Sequence, residues 1–309
     1  MTDTMTIVPD SQHVPDSELR GLIALLPPSW RPFAMLARFD RPIGWWLLFW
    51  PCVWGLFLAG ARMPWAMVLW MLAGSIAMRG AGCVYNDIVD VDIDRRVART
   101  ATRPIASGAV TRRAAWVWIA ALLAVGLVVL LQLRWQAQLV ALASLLLVAA
   151  YPFMKRITGW PQAWLGLVFT WGAPVGWVQA SAFDRLAPLG LLYLGCWAWC
   201  MGYDTIYACQ DREDDMAIGI GSSALSFGRH VRGGVIALYA LAVGAWGGAV
   251  WLVRPDPLAL LALAPVATHL AWQALTLRPD DGDGALARFR SNRFAGLLMA
   301  AACYVVGMS

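Results

Sequence analysis

The sequence predicts an all-α membrane protein that crosses the bilayer about nine times, and three observations carry that reading. Of its 309 residues 60% are hydrophobic, 14% are charged and 19 are tryptophan, a composition foreign to a soluble globule. Apolar windows of roughly 20 residues, enough to span a hydrocarbon core about 30 Å thick, recur between charged or proline-rich breaks. These windows are near-continuously apolar rather than alternating. A bilayer leaves no backbone N–H or C=O to water, so helices are expected and barrel strands are not.

Residues 1–40 form the first element, a cytoplasmic N-terminal segment. Its first 20 residues hold Asp3, Asp10, Asp16 and Glu18 with no apolar run, so a retained start is expected rather than a cleaved signal. Residues 17–39, SELRGLIALLPPSWRPFAMLARF, mix Leu, Ile, Trp and Phe with arginines, which suits an amphipathic piece on the inner membrane surface. The transmembrane domain, 41–309, follows, with spans expected at 42–61, 64–84, 114–132, 135–153, 161–180, 186–203, 233–253, 257–276 and 292–308. Short breaks such as Arg62 to Pro64, Asp184 to Arg185 and Arg254 to Pro257 separate some pairs, and long charged connections separate others.

Basic residues set the orientation. The N-terminal segment holds Arg20, Arg31, Arg38 and Arg41, and the connection after span 2 holds Arg95, Arg96, Arg99, Arg103, Arg112 and Arg113. On the same side lie Lys155 and Arg156, then Arg212, Arg229 and Arg232, then Arg278, Arg288, Arg290 and Arg293, nineteen in all. The opposite connections carry four, Arg62, Arg134, Arg185 and Arg254, so the N-terminus is expected in the cytoplasm and the C-terminus across the membrane. The net charge of +5 follows from these loops, and nucleic acid is not needed to explain it; membrane lipid is. Cys52, Cys83, Cys196, Cys200, Cys209 and Cys303 lack metal-type spacing and read as packing residues. Arg79 reads as an arginine snorkelling toward the inner surface, and His269 as a helix-to-helix hydrogen-bonding group.

Acidic residues concentrate in two stretches, NDIVDVDID after span 2 and YDTIYACQDREDD, 203–215, after span 6. Continued as helices at about 100° per residue, Asn86, Asp87, Asp90 and Asp94 share an arc of about 100° while Asp92 points away. Asp204, Asp211 and Asp215 share about 40°, with Glu213 opposite. A face of like charges destabilises an isolated helix, so a bound cation is implied. Mg²⁺ takes hard oxygen ligands, commonly one or two carboxylates plus substrate phosphates. Two such faces would grip a diphosphate, with Arg95, Arg99, Arg103, Lys155 and Arg156 neutralising its remaining charge.

With these motifs in place, the chain resembles the UbiA-type intramembrane aromatic prenyltransferases, most closely their 4-hydroxybenzoate polyprenyltransferase branch, over nearly all residues after 38. The family's NDxxDxxxD motif is met by Asn86, Asp87, Asp90 and Asp94, and its DxxxD type by Asp211 and Asp215. The branch similarity rests on RFDRPIGWWLLFWP (38–51), RTATRPIASGAVT (99–111) and YPFMKRITGWPQAWLG (151–166).

The resemblance implies nine helices around a lipid-open cavity, in a bacterial inner membrane, with the aspartates on the cytoplasmic rim. It implies Mg²⁺ on Asn86, Asp87, Asp90, Asp94, Asp211 and Asp215, with Asp90, Asp94, Asp211 and Asp215 catalytic. The implied reaction transfers a polyprenyl group from polyprenyl diphosphate to 4-hydroxybenzoate, an early step toward ubiquinone. The anionic aromatic acid needs a cationic partner, expected at Arg41, with Asn86, Tyr203, Asp204 and Tyr207 nearby. Ala217 and Gly221 stand where relatives often carry lysine. Homogentisate or dihydroxynaphthoate is the alternative acceptor within the class. A cation-coupled transporter is the alternative outside it, but the carboxylates sit at span ends and transporters keep coupling groups near the midplane.

Overall fold

A computed structural model describes residues 20–62, 64–96, 100–210 and 221–308. Two short helices open the chain, α1 (Arg20–Ala24) and α2 (Arg31–Leu36). Then come α3 (Ile43–Leu58), α4 (Trp65–Val89), the single-turn α5 (Val91–Asp94), α6 (Arg112–Leu130) and α7 (Trp135–Ile157). The chain continues with α8 (Pro161–Thr170), α9 (Gly172–Ser181), α10 (Leu186–Ala208), α11 (Ser223–Phe227) and α12 (Val231–Val253). It ends with α13 (Pro257–Leu261), α14 (Ala264–Thr276) and α15 (Gly282–Gly307). Among the described residues there is no strand, and the protein is an all-helical membrane protein.

Each expected span coincides with a helix or a pair of helices, and six stretches are long and apolar enough to cross a membrane by themselves. Ile43–Leu58 is a shorter apolar helix. Spans five and eight are broken, and prolines explain both breaks. Pro174 cannot donate to the Thr170 carbonyl, where α8 ends, and Pro265 cannot donate to that of Leu261, where α13 ends. The ninth helix begins at Gly282, ten residues before the expected 292. Asp281 accepts from the Gly284 N–H at 2.9 Å to start it, and Arg288 Nη2 donates to the Thr276 carbonyl at 2.6 Å. Arg288, Arg290 and Arg293 therefore stand on a helix rather than in a loop.

The centre of the bundle is aromatic and tightly packed. Trp54, Trp199 and Trp246 are fully buried, with Trp54 4.8 Å from Trp199 and 5.4 Å from Trp246 between ring centroids. A polar chain ties α10, α12, α14 and α15 there. Trp199 Nε1 donates to Asn292 Oδ1 at 2.8 Å, Asn292 Nδ2 to Gln273 Oε1 at 3.3 Å, and the Tyr239 hydroxyl to the same Gln273 oxygen at 2.7 Å. His269 joins this chain through Ser291 at 3.2 Å, the helix-to-helix role expected of it. Outward-facing residues of α6 and α7, such as Val117 and Leu146, are apolar and exposed, as lipid contact requires.

Helices α3 and α9 meet at backbone distance. A Cβ at Gly55 would run into the Ala173 carbonyl, and one at Gly176 into the Cys52 carbonyl. Gly176→Leu is therefore expected to cost about 1–3 kcal/mol or more by overpacking, read as a lower midpoint in thermal unfolding of the detergent-solubilised protein. Gly190→Leu, where nothing lies within 4 Å, is the control that should leave the midpoint in place.

Leu36 and Ala37 pack with Val84, Ile88, Val91, Ile105, Val110 and Ala115 in a second cluster at the aspartate end. The segment before residue 40 is thus partly welded to the bundle. Leu22, Leu25 and Trp30 of that segment remain exposed while Ile23 is buried.

Candidate active site

Helix α4 ends at Val89, and Asp90 caps it with φ −94° and ψ 2° before α5 resumes. The register largely survives the break, because Asp94 N–H still donates to the Asp90 carbonyl at 2.8 Å. Asp87, Asp90 and Asp94 are consequently buried at 2%, 0% and 5% exposure, Asn86 is half-buried, and the Asp92 side chain is 76% exposed. The burial follows the expected arc.

Two arginines hold these carboxylates. Arg38 Nη2 donates to both oxygens of Asp87, at 3.1 and 2.9 Å. Arg103 Nη1 lies 3.2 Å from Asp87 Oδ1 and 3.0 and 2.9 Å from the two oxygens of Asp94. Thr100 Oγ1 donates to the Asp94 carbonyl at 2.9 Å, which pins the Arg103 loop over α5. Burial pushes the Asp94 carboxyl above its ordinary value, and Arg103 offsets part of that rise. Burial works against the Arg38 cation, but Asp87 and Asp40 outweigh it and its pKa rises.

Arg38 occupies a position that usually requires glycine. Its φ of +58° is left-handed, Phe39 N–H returns to the Ala34 carbonyl at 3.0 Å and Arg38 N–H to that of Met35 at 3.0 Å, a Schellman ending for α2. A non-glycine residue there costs about 1–2 kcal/mol, and the Asp87 contact offsets it.

Other expected site residues are distributed differently. Arg95 is exposed and turned to the Ala106 carbonyl at 3.3 Å and to Asp92 at 3.9 Å. Arg41 lies beside its neighbour Asp40, at 3.4 Å. Tyr203 is buried at 1% exposure, where Cys200 Sγ donates to its hydroxyl at 2.9 Å and its ring abuts Trp199 and Phe289. Tyr207 is half-buried with its ring 4.6 Å from that of Phe289, and Asp204 is half-buried. Lys155 and Arg156 end α7, but their side chains lie outside the described residues, as do Arg99, Asp211, Asp215, Arg212 and Ala217.

The chain that flanks the second motif is firmly placed. Thr205 Oγ1 and Ser223 Oγ are 2.7 Å apart, and Gln162 Oε1 accepts from the Ser223 N–H at 2.9 Å, all buried. Gly221 approaches Gly159 so closely that a Cβ would meet the Gly159 Cα at 2.7 Å, which explains why no lysine stands there.

Arg79 was misjudged from sequence. It points into the bundle, with Nη1 2.7 Å from Cys83 Sγ, its guanidinium 5.1 Å over the Phe169 ring, and Nε buried without a hydrogen-bond partner. Tyr151 lies within electrostatic range of both Arg79 and Asp204. A signal for this existed: seven residues before Asn86, Arg79 falls about 20° into the same helical arc as the aspartates.

Among the described residues no group of three or more His, Cys, Asp or Glu side chains is arranged to hold a metal ion. The donor set nevertheless suits one: oxygens of Asp87 and Asp94 already converge on a cationic nitrogen, and they are the hard carboxylate ligands that Mg²⁺ takes one or two at a time.

Fold and site together define a polytopic helical membrane protein with a buried aspartate–arginine cluster at one end of its bundle. A family model described as the UbiA prenyltransferase family matches residues 48–301. A protein of Drosophila pseudoobscura pseudoobscura named "4-hydroxybenzoate polyprenyltransferase, mitochondrial" is 41% identical over 298 residues, covering 96% of this chain and 74% of that one. The apo structure of a UbiA homolog from Aeropyrum pernix K1 superposes with a TM-score of 0.69 at 27% identity, covering 84% of this chain and 97% of that one. A UbiA homolog from Archaeoglobus fulgidus, solved bound to GPP and Mg²⁺, shares the fold with a TM-score of 0.66 at 17% identity, covering 90% and 100%. The chain belongs to the UbiA prenyltransferase family.

Proposed function

We propose that this protein transfers a polyprenyl group from polyprenyl diphosphate to 4-hydroxybenzoate, giving 3-polyprenyl-4-hydroxybenzoate for ubiquinone synthesis. The observation that carries the reading is the buried cluster of Asp87, Asp90 and Asp94 joined to Arg103 at the mouth of a bundle whose interior holds Arg79. The names of relatives about 40% identical support the acceptor and the donor.

The allylic C–O bond breaks with its electron pair going to the diphosphate, the ring carbon ortho to the phenol oxygen bonds the allylic carbon, and the ring proton passes to the released diphosphate or to water. Asn86, Asp87, Asp90 and Asp94, with Asp211 and Asp215 of the second motif, would hold Mg²⁺. Bound there, Mg²⁺ supplies positive charge for the departing diphosphate. Arg103, with Arg99, Lys155 and Arg156, would neutralise the remaining phosphate charge.

The apolar bundle keeps water from the allylic cation and dissolves the prenyl tail. Arg79 takes the carboxylate of the aromatic acid inside the bundle, the role the sequence suggested for Arg41. The basic-residue asymmetry supports a bacterial inner-membrane location with this site at the cytoplasmic face.

The experiment is product identification by mass spectrometry, from membranes containing the protein and supplied with a polyprenyl diphosphate and each candidate aromatic acid. Prenylated 4-hydroxybenzoate is expected. Prenylation of homogentisate or dihydroxynaphthoate in its place would overturn the acceptor, and no prenylated aromatic product at all would overturn the reaction.

A further inference from the structure

Arg38 and Arg103 hold the same carboxylate in different ways. Arg38 sets one Nη against both oxygens of the single carboxylate Asp87, is 12% exposed in its side chain, and is fixed by a left-handed backbone. Arg103 spreads one Nη, with two hydrogens, over three oxygens of two carboxylates within 3.2 Å, so it bridges Asp87 and Asp94 rather than serving one of them. Its side chain is 28% exposed and reaches in from the loop between α5 and α6. One arginine is built in by its backbone, and the other bridges two carboxylates from a more exposed loop, at the point where their oxygens converge.

We propose that Arg103 is a displaceable counter-ion: its Nη1 keeps the place of a divalent cation between Asp87 and Asp94, and loading of the site transfers its guanidinium from those carboxylates to the diphosphate. The proposal rests on the reading of this cluster as a metal and diphosphate site. Arg38 is the fixed partner that makes the exchange tolerable, because Asp87 keeps its ion pair with Arg38 Nη2 when Arg103 leaves. Asp94, whose two oxygens both accept from the departing nitrogen, is the carboxylate released to the cation.

The consequence is a coupling between cation and diphosphate. Without an anion to receive it, Arg103 competes with the cation, so the metal alone binds weakly. With the anion present the competitor becomes a ligand. Couplings of this kind lie on the order of 5- to 150-fold.

The test measures Mn²⁺ affinity, by electron paramagnetic resonance of the full-length protein in detergent, with and without inorganic pyrophosphate. Mn²⁺ serves as a paramagnetic probe for an oxygen site that suits Mg²⁺. Arg103→Gln is expected to tighten Mn²⁺ alone on the order of tenfold while losing most of the gain that pyrophosphate gives the unaltered chain. Arg112→Gln removes the same charge from a side chain 57% exposed that touches only the outward Asp92, at 3.8 Å, among the acidic residues of the motif, and should change neither value.

Equal tightening in Arg112→Gln would make the effect long-range electrostatics and overturn the proposal, as would unchanged or weaker Mn²⁺ binding by Arg103→Gln. Should Arg103→Gln prove too unstable to titrate, the rise of its unfolding midpoint on adding Mn²⁺ reads the same affinity, and a rise no larger than that of the unaltered chain overturns the proposal. Mn²⁺ binding that is absent with pyrophosphate, or indifferent to Asp94→Asn, would remove the metal site itself and the proposal with it.

Discussion

Asp90→Asn is expected to lower turnover on the order of 10³-fold, and Asp92→Asn to leave it within about twofold of the unaltered chain. The two residues are neighbours but one, carry the same side chain and lie in the same acidic run, so composition cannot separate them. Position does: Asp90 is fully buried at the α4–α5 junction, whereas the Asp92 side chain is 76% exposed and pairs only at 3.8 and 3.9 Å with Arg112 and Arg95. Asparagine keeps the volume of aspartate and removes the charge, so the loss reads the charge alone. A solvated ion pair is worth little, which is why Asp92 is dispensable.

Asp211→Asn and Glu213→Gln make the matching pair on the second motif, with the first inactive and the second active. Chelation of divalent cations should abolish turnover in the unaltered chain. The check is initial-rate prenyl transfer at saturating substrates, with the unfolding midpoint recorded for each variant. Equal behaviour of Asp90→Asn and Asp92→Asn would dispose of the inward arc.

That arc was legible because helix periodicity is a local property. The same arithmetic that set Asp92 apart from Asp90 also places Arg79 beside Asn86, and only the habit of letting membrane arginines snorkel hid it. The breaks in spans five and eight were not foreseen, although Pro174 and Pro265, each four residues after the end of a helix, carry the signal for them.

Arg38 was not legible. Its role depends on a left-handed turn at the end of α2 and on α2 lying against α4, and neither leaves a local signature in RFDRP. Tyr203 and Asp204 are neighbours in sequence, but adjacent helix positions point about 100° apart, and the tyrosine ring packs on Trp199 while Asp204 is half-buried, a difference set by the covering helices. Sequence periodicity thus ranks faces of one helix, while which neighbour covers each face is a tertiary fact.

Arg79→Ala is expected to reduce kcat/KM for 4-hydroxybenzoate by about 10- to 100-fold at limiting aromatic acid, mostly through KM, with the KM for prenyl diphosphate changed far less. The motive is desolvation. A carboxylate entering the apolar bundle loses its water and needs a charge-assisted partner, worth about 1.5–3 kcal/mol, and Arg79 presents a guanidinium there with Nε buried and unbonded.

Arg41 is the rival, but a half-buried arginine beside Asp40 already has its charge partly answered. Arg41→Ala should therefore change the aromatic KM by less than about threefold, as expected for a part-exposed ion pair. The fold complicates the first variant, because Arg79 also packs on Phe169 and lies so near Gly44 that a Cβ there would meet its Nε at 2.7 Å. Arg79→Lys keeps the charge and much of the stem, and partial recovery of the aromatic KM by lysine separates charge from packing. If Arg41→Ala carries the larger aromatic KM effect, the acid binds at the mouth of the bundle beside the aspartates and Arg79 is a packing residue. If both substrates lose equally in Arg79→Ala and lysine restores neither, the guanidinium holds the helices rather than the acid.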